Sequence, residues 1–182
     1  MINRSCIFLM GLALSVPALG NGIYGGVSAG ITDYNEETFG DGNGMGIRGG
    51  YQINDNVAVE VSYFDGGKAD DNDGNDSWYI DGEAFQAAVK LSTDIGGRSS
   101  RSLPVHGYLK LGVSSWDFKL DARNTGNGTE SVDGTDIFYG VGVGWDFSRT
   151  ARAFLEYQSI KVDSDDVDEN VSTVNIGIEY KF

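Results

Sequence analysis

From Ile23 to Phe182, apolar side chains recur at every second position over long stretches, and this period constrains the fold more than any other feature. A period of two is that of a strand with one apolar face, whereas a helix would repeat near 3.6. Eight segments carry it: Ile23–Thr32, Gly44–Gln52, Val57–Asp65, Trp78–Ser92, Val105–Asp121, Thr135–Phe147, Ala151–Val162 and Val171–Phe182. In the last, Val174, Ile176, Ile178, Tyr180 and Phe182 share one face, and Thr173, Asn175, Gly177, Glu179 and Lys181 the other. The sixth sets Ile137, Tyr139, Val141, Val143, Trp145 and Phe147 against Gly140, Gly142, Gly144 and Asp146. The expected class is all-β: eight antiparallel strands in up-and-down order, closed into a barrel. Most segments exceed an average soluble strand and match the roughly 9–11 residues of a tilted strand crossing a bilayer.

Alternation does not say which face looks outward. A soluble barrel keeps its apolar face inside; a membrane barrel turns it to lipid. Three features favour lipid. The connections 33–43, 66–77, 122–134 and 163–170 are long and polar, those at 53–56 and 148–150 are tight turns, and 93–104 is intermediate. Long loops on one side and short turns on the other mark membrane barrels. The formal net charge is −14, and nearly all of that acidity falls in the long connections, hence at one end of the barrel. Tyr51, Tyr63, Trp145, Phe147, Tyr157, Tyr180 and Phe182 lie on apolar faces, mostly near strand ends, where an interfacial girdle needs them. So acidic a chain lacks the basic stripe that nucleic acid requires.

Residues 1–20 read as a cleaved signal peptide and 21–182 as the barrel domain. Arg4 supplies the positive n-region, Cys6–Leu19 an apolar stretch too short to span a bilayer, and Ala18 and Gly20 the small residues of a cleavage site. Cleavage removes Cys6, the one cysteine, so neither disulfides nor thiol chemistry are expected of the barrel.

The chain closes on Asn175-Ile176-Gly177-Ile178-Glu179-Tyr180-Lys181-Phe182. This resembles the outer-membrane assembly signal, with Gly177, Tyr180 and Phe182 at its marked positions. Gly50-Tyr51, Val59-Glu60-Val61, Lys110-Leu111-Gly112 and Leu155-Glu156-Tyr157-Gln158 follow in the order expected of one family. With them, residues 21–182 resemble the small eight-stranded outer-membrane barrels, of the type of the transmembrane domain of outer-membrane protein A and related porin-like β-barrels. The resemblance implies residence in the outer membrane of a Gram-negative bacterium. It also implies contact with its lipid and lipopolysaccharide, recognition of the last strand by the outer-membrane assembly machinery, and a monomer. That family's periplasmic peptidoglycan-binding domain is not expected here. In the nearest relatives a basic residue precedes the Leu-Glu-Tyr-Gln stretch; Phe154 stands in its place, which argues against a salt-bridge gate of the family type.

Eight strands leave a lumen just wide enough for side chains to fill. The polar faces direct Arg48, Glu60, Gln86, Lys90, Lys110, Glu156, Gln158 and Glu179 into it. Such charges must pair or stay hydrated. Arg48 and Glu60 flank the 53–56 turn and can pair across it; Lys90 and Lys110 lie on neighbouring strands and need Glu60 or Glu156 opposite. The cluster Arg48, Glu60, Lys90, Lys110 and Glu156 is therefore expected to be either a structural plug or a gate.

No catalytic, cofactor or metal residue is expected, nor any cofactor. Asp70–Asp76 resembles a calcium loop, but counted from Gly74 as position 6 the first and twelfth places hold Ala69 and Ile80. The acidic run Asp163, Asp165, Asp166, Asp168 and Glu169 reads as a solvated loop, with loose Ca²⁺ or Mg²⁺ binding that bridges to lipopolysaccharide phosphate as the alternative. His106, the single histidine, lies at the periplasmic rim without a nucleophile beside it. The functions left open are a structural or surface-interaction role through the acidic loops, a narrow channel for ions or small solutes, an adhesin or host-factor binder, and a soluble lipocalin-like carrier.

Overall fold

A computed structural model describes residues 22–33, 42–73, 76–95, 104–122, 130–164 and 167–182; the expected signal peptide lies outside them. The strands are β1 (Ile23–Asp33), β2 (Gly42–Asn54), β3 (Val57–Asp73), β4 (Asp76–Asp94), β5 (Val105–Ala122), β6 (Glu130–Asp146), β7 (Ala151–Ser164) and β8 (Val167–Lys181). Each pairs antiparallel with its chain neighbours, and β1 pairs with β8 from Tyr24↔Lys181 to Asp33↔Ser172, closing the barrel.

The faces are inverted relative to a soluble protein. Leu111 and Ile176 are each 64% exposed, while their chain neighbours Lys110 and Asn175 are 3% and 1% exposed. On every strand most apolar side chains look outward, while the charged residues of the alternating segments turn inward, which excludes the soluble carrier and leaves lipid as the outer solvent. Every girdle aromatic named above lies on this outer face. Near one end Trp145 meets Phe147 edge-on at 6.2 Å, and Tyr180 meets Phe182 at 5.3 Å. Toward the other end, the Tyr63 hydroxyl donates to Glu83 Oε2 at 2.8 Å and the Tyr157 hydroxyl lies 2.8 Å from Ser172 Oγ. Tyrosine serves here because its ring suits the lipid edge and its hydroxyl the water beyond.

The tight turns are built from their own side chains. Asn54 Oδ1 accepts from the backbone N–H of Asn56 and of Val57, both at 2.9 Å. Ser148 Oγ accepts from those of Thr150 at 3.2 Å and Ala151 at 2.9 Å.

The long connections need correction. Residues 66–77 are not a loop: β3 and β4 stay paired from Lys68↔Asp81 to Asp73↔Asp76. Likewise 163–170 is mostly ladder, with Asp163↔Asp168 and Ser164↔Val167. β6 begins at Glu130 rather than Thr135, which shortens 122–134, and β1 and β2 extend to Asp33 and Gly42, inside 33–43. Backbone pairing needs no apolar face, so the ladder continues into water beyond the point where hydrophobic alternation stops. Asp, Asn and Gly, depleted in strands generally, hide this in the sequence. At the start of the β3–β4 extension a bulge separates Asp65 from Lys68. There Gly67 has φ +72°, a conformation that favours glycine, and its N–H donates to Asp65 Oδ1 at 3.0 Å. β4 and β5 stay paired from Trp78↔Ala122 to Asp94↔His106, so this side of the barrel stands tallest.

Candidate functional site

The lumen is built in layers. Inward positions of β2, β3, β4, β5, β7 and β8 bring Arg48, Glu60, Lys90, Lys110, Glu156 and Glu179 together, three cations and three anions, each side chain at most 3% exposed where it enters an ion pair. Arg48 Nη2 and Nη1 donate to the two Glu156 carboxylate oxygens at 2.9 and 3.1 Å. Arg48 Nη1 also lies 3.7 Å from Glu60 and 3.6 Å from Glu179. Lys110 Nζ bridges Glu60 and Glu156, the latter at 2.6 Å. Lys90 Nζ donates to Glu179 Oε1 at 2.9 Å and lies 3.4 Å from Glu60 Oε2. The Tyr24 hydroxyl of β1 donates to Glu60 at 2.8 Å, and Gln158 Nε2 donates to Glu156.

Aromatic rings lie against the cations. Arg48 Cζ sits 3.9 Å over the Phe154 ring, and Lys90 Nζ 4.5 Å from the centre of Tyr108 and 5.1 Å from that of Tyr24. A ring quadrupole attracts a desolvated cation strongly. β6 gives space instead of charge: a Cβ on Gly142 would run into the Tyr108 ring. Thus every strand contributes either a group or room for one.

Several sequence expectations are refined. Arg48 and Glu60 do approach each other, but the principal partner of Arg48 is Glu156, three strands away around the barrel. Register explains it: Arg48 faces Ser62 and Gly50 faces Glu60, so the two charges are offset along the strands. Lys90 and Lys110 are direct cross-strand partners. Their like charges are separated by Glu60, Glu156 and Glu179. Phe154, which departs from the family pattern, is the ring beneath Arg48. Gly177 faces inward, where a Cβ would meet Val27 O and the Phe154 ring, while Tyr180 and Phe182 face lipid at 50% and 68% exposure. Gly177 and Tyr180 therefore lie on opposite faces of β8, and Phe182, just beyond its end, shares the lipid side with Tyr180. The Asp70–Asp76 and Asp163–Glu169 side chains lie outside the described residues; among those described, no group of three His, Cys, Asp or Glu could hold a metal.

Sequence reasoning missed what lies above. Beyond a polar layer in which the Ser62 hydroxyl donates to Gln86 at 3.1 Å, Ala84, Trp116, Phe138, Ile160 and Val171 form a buried apolar cluster within the lumen. The Trp116 ring lies 5.0 Å from that of Phe118, tilted by 33°, and donates its indole N–H to Asp136 at 2.8 Å. The signal was present: Trp116 and Phe118 share parity with Lys110. A second omission is at the short-turn rim. His106 lies 2.5 Å from Asp94 and 2.7 Å from Asp146, and Asp146 accepts from Arg152 Nε at 2.6 Å.

Residues 5–182 match the profile of the outer membrane protein beta-barrel domain. The chain belongs to that family. With the lipid-facing exterior, membership places it in the bacterial outer membrane. Among solved structures, Neisserial surface protein A is similar at a TM-score of 0.60 and 16% identity, over 88% of this chain and 96% of that one. The N-terminal β-barrel domain of Pseudomonas aeruginosa OprF follows at 0.58 and 13%, over 90% and 100%. The attachment invasion locus protein of Yersinia pestis, in complex with the heparin analogue sucrose octasulfate, is similar at 0.56 and 17%, over 89% and 97%. At these identities the family barrels share the fold, and nothing finer is transferred. No curated protein matches the chain.

Proposed function

We propose that this is a monomeric, non-enzymatic outer-membrane barrel with a plugged lumen, whose role is structural and is exercised at the cell surface through its long hairpins. One observation carries the reading: charges from six strands pair with one another across the lumen, with an apolar cluster from β4 to β8 above them. A continuous ion path would have to break the paired charges. Rigid barrels present function on their connections, and here the β3–β4 and β5–β6 hairpins rise furthest. In this reading lipid and lipopolysaccharide cover the outer face, and Gly177, Tyr180 and Phe182 serve assembly.

Planar-bilayer conductance of the refolded mature chain tests it. Insertion without current steps is expected. Reproducible steps altered by Glu60→Ala or Lys110→Ala would overturn the plug and establish the narrow channel.

The adhesin reading is favoured by the height of the hairpins. The Yersinia protein was solved with a polyanion; the acidic connections of this chain suit a cationic partner instead. Hairpin exchange that abolishes binding to a cationic surface while the barrel still folds would support that role.

A further inference from the structure

At the rim of the short turns, the last residue of β4, the second of β5 and the last of β6 converge. His106 Nδ1 lies 2.5 Å from Asp94 Oδ1 and Nε2 lies 2.7 Å from Asp146 Oδ2. Both ring nitrogens thus face carboxylate oxygens, which only accept. A neutral imidazole has one N–H, so it satisfies one of these contacts and turns a lone pair to the other.

The two carboxylates are not equivalent. Asp146 is 18% exposed at its side chain and is fixed by β7 and β8: Arg152 donates to it at 2.6 and 3.2 Å, and Lys181 Nζ lies 3.8 Å away. Asp94 is 77% exposed at its side chain. The strand end it belongs to is held to β5 by the Asp94↔His106 pairing and by Ile95 N–H donating to Val105 O at 2.9 Å. When the ring holds one proton, Asp146 keeps its partners and Asp94, with water at hand, lets go.

We propose that His106 is a protonation-dependent clasp that ties the end of β4 to β6 when charged and lets it go when neutral. The groups facing it are Asp94 from β4 and Asp146 from β6, with Arg152 and Lys181 behind Asp146. The sign follows from the donors. The doubly protonated ring donates to both carboxylates and ties β4 to β6; loss of one proton removes one donor and releases the end of β4.

The test is amide hydrogen exchange at Ile95 in the refolded mature chain, expressed as protection relative to the unstructured rate, from about pH 5 to pH 8. In the wild type, protection is expected to fall by about tenfold as pH rises, the worth of one charge-assisted hydrogen bond. His106→Gln should give low protection at every pH. Asp94→Asn, which keeps the histidine, should also flatten the profile and serves if the glutamine variant folds poorly. Protection that does not change with pH in the wild type, or that changes equally in Asp94→Asn, overturns the clasp. A merely structural histidine would lower protection on substitution without producing a wild-type pH profile.

Discussion

Arg48 of β2 holds Glu156 of β7 through two parallel hydrogen bonds of 2.9 and 3.1 Å, spanning 108 residues of sequence and bypassing the two strands between them. This contact crosses the lumen, whereas the ladder bonds only follow its wall. A forked guanidinium can hold both carboxylate oxygens and stack on Phe154 at once; an ammonium cannot. Arg48→Lys should therefore cost about 1–3 kcal/mol, read as a lower urea midpoint of the refolded barrel. An unchanged midpoint would mean that charge alone matters at this position.

Glu60 accepts from Lys110, Lys90 and Tyr24. Glu60→Ala leaves two buried ammonium groups short of a partner, and breaking such a pair costs about 3–5 kcal/mol. Equilibrium unfolding in lipid should show it. A loss under about 1 kcal/mol would mean that water reaches the cluster and carries the charge.

Trp116 belongs to the apolar layer and is 3% exposed. Trp116→Ala should destabilise by about 3–5 kcal/mol through the cavity it leaves, without producing conductance, because the ion cluster below stays closed. Current steps in this variant alone would show that the apolar layer, not the charges, is the seal.

The orientation of the faces can be checked directly. Leu111 is outward and 64% exposed in the middle of the apolar band, so Leu111→Arg should cost about 2–4 kcal/mol in a bilayer. A cost near zero would place that surface in water.

Gly177 is confined by Val27 O and by the Phe154 ring. Gly177→Ala should cost about 1–3 kcal/mol through overpacking, and a shifted melting transition would record it. If instead folding yield falls while the melting transition holds, the glycine is needed during assembly rather than in the finished barrel.

The barrel itself was legible because parity is local: Val174 through Phe182 declare one face with no knowledge of their neighbours. Parity also found the charged residues of the lumen, since Lys110 and Glu156 fall between lipid-facing leucines and tyrosines. Pairing among them was less accessible. It depends on stagger between strands, which brings Arg48 to Glu156 and offsets it from Glu60. The heights of the hairpins were misread because Asp70–Asp73 look like loop residues, although their ladder runs on into water. The rim cluster was invisible for another reason: Asp94, His106 and Asp146 each look unremarkable in sequence and meet only at the end of three strands.

The ion cluster is neutral as a whole but not along the chain. β2 to β5 contribute Arg48, Glu60, Lys90 and Lys110, an excess of positive charge; the balancing Glu156 and Glu179 come from β7 and β8. A partly assembled sheet lacking its final hairpin would carry that excess into hydrocarbon. The closing strands are thus also the counterion of the earlier ones, and lipid is hostile to the barrel until they arrive. Insertion strand by strand is disfavoured, and completion becomes the step that makes the inside of this protein compatible with a membrane.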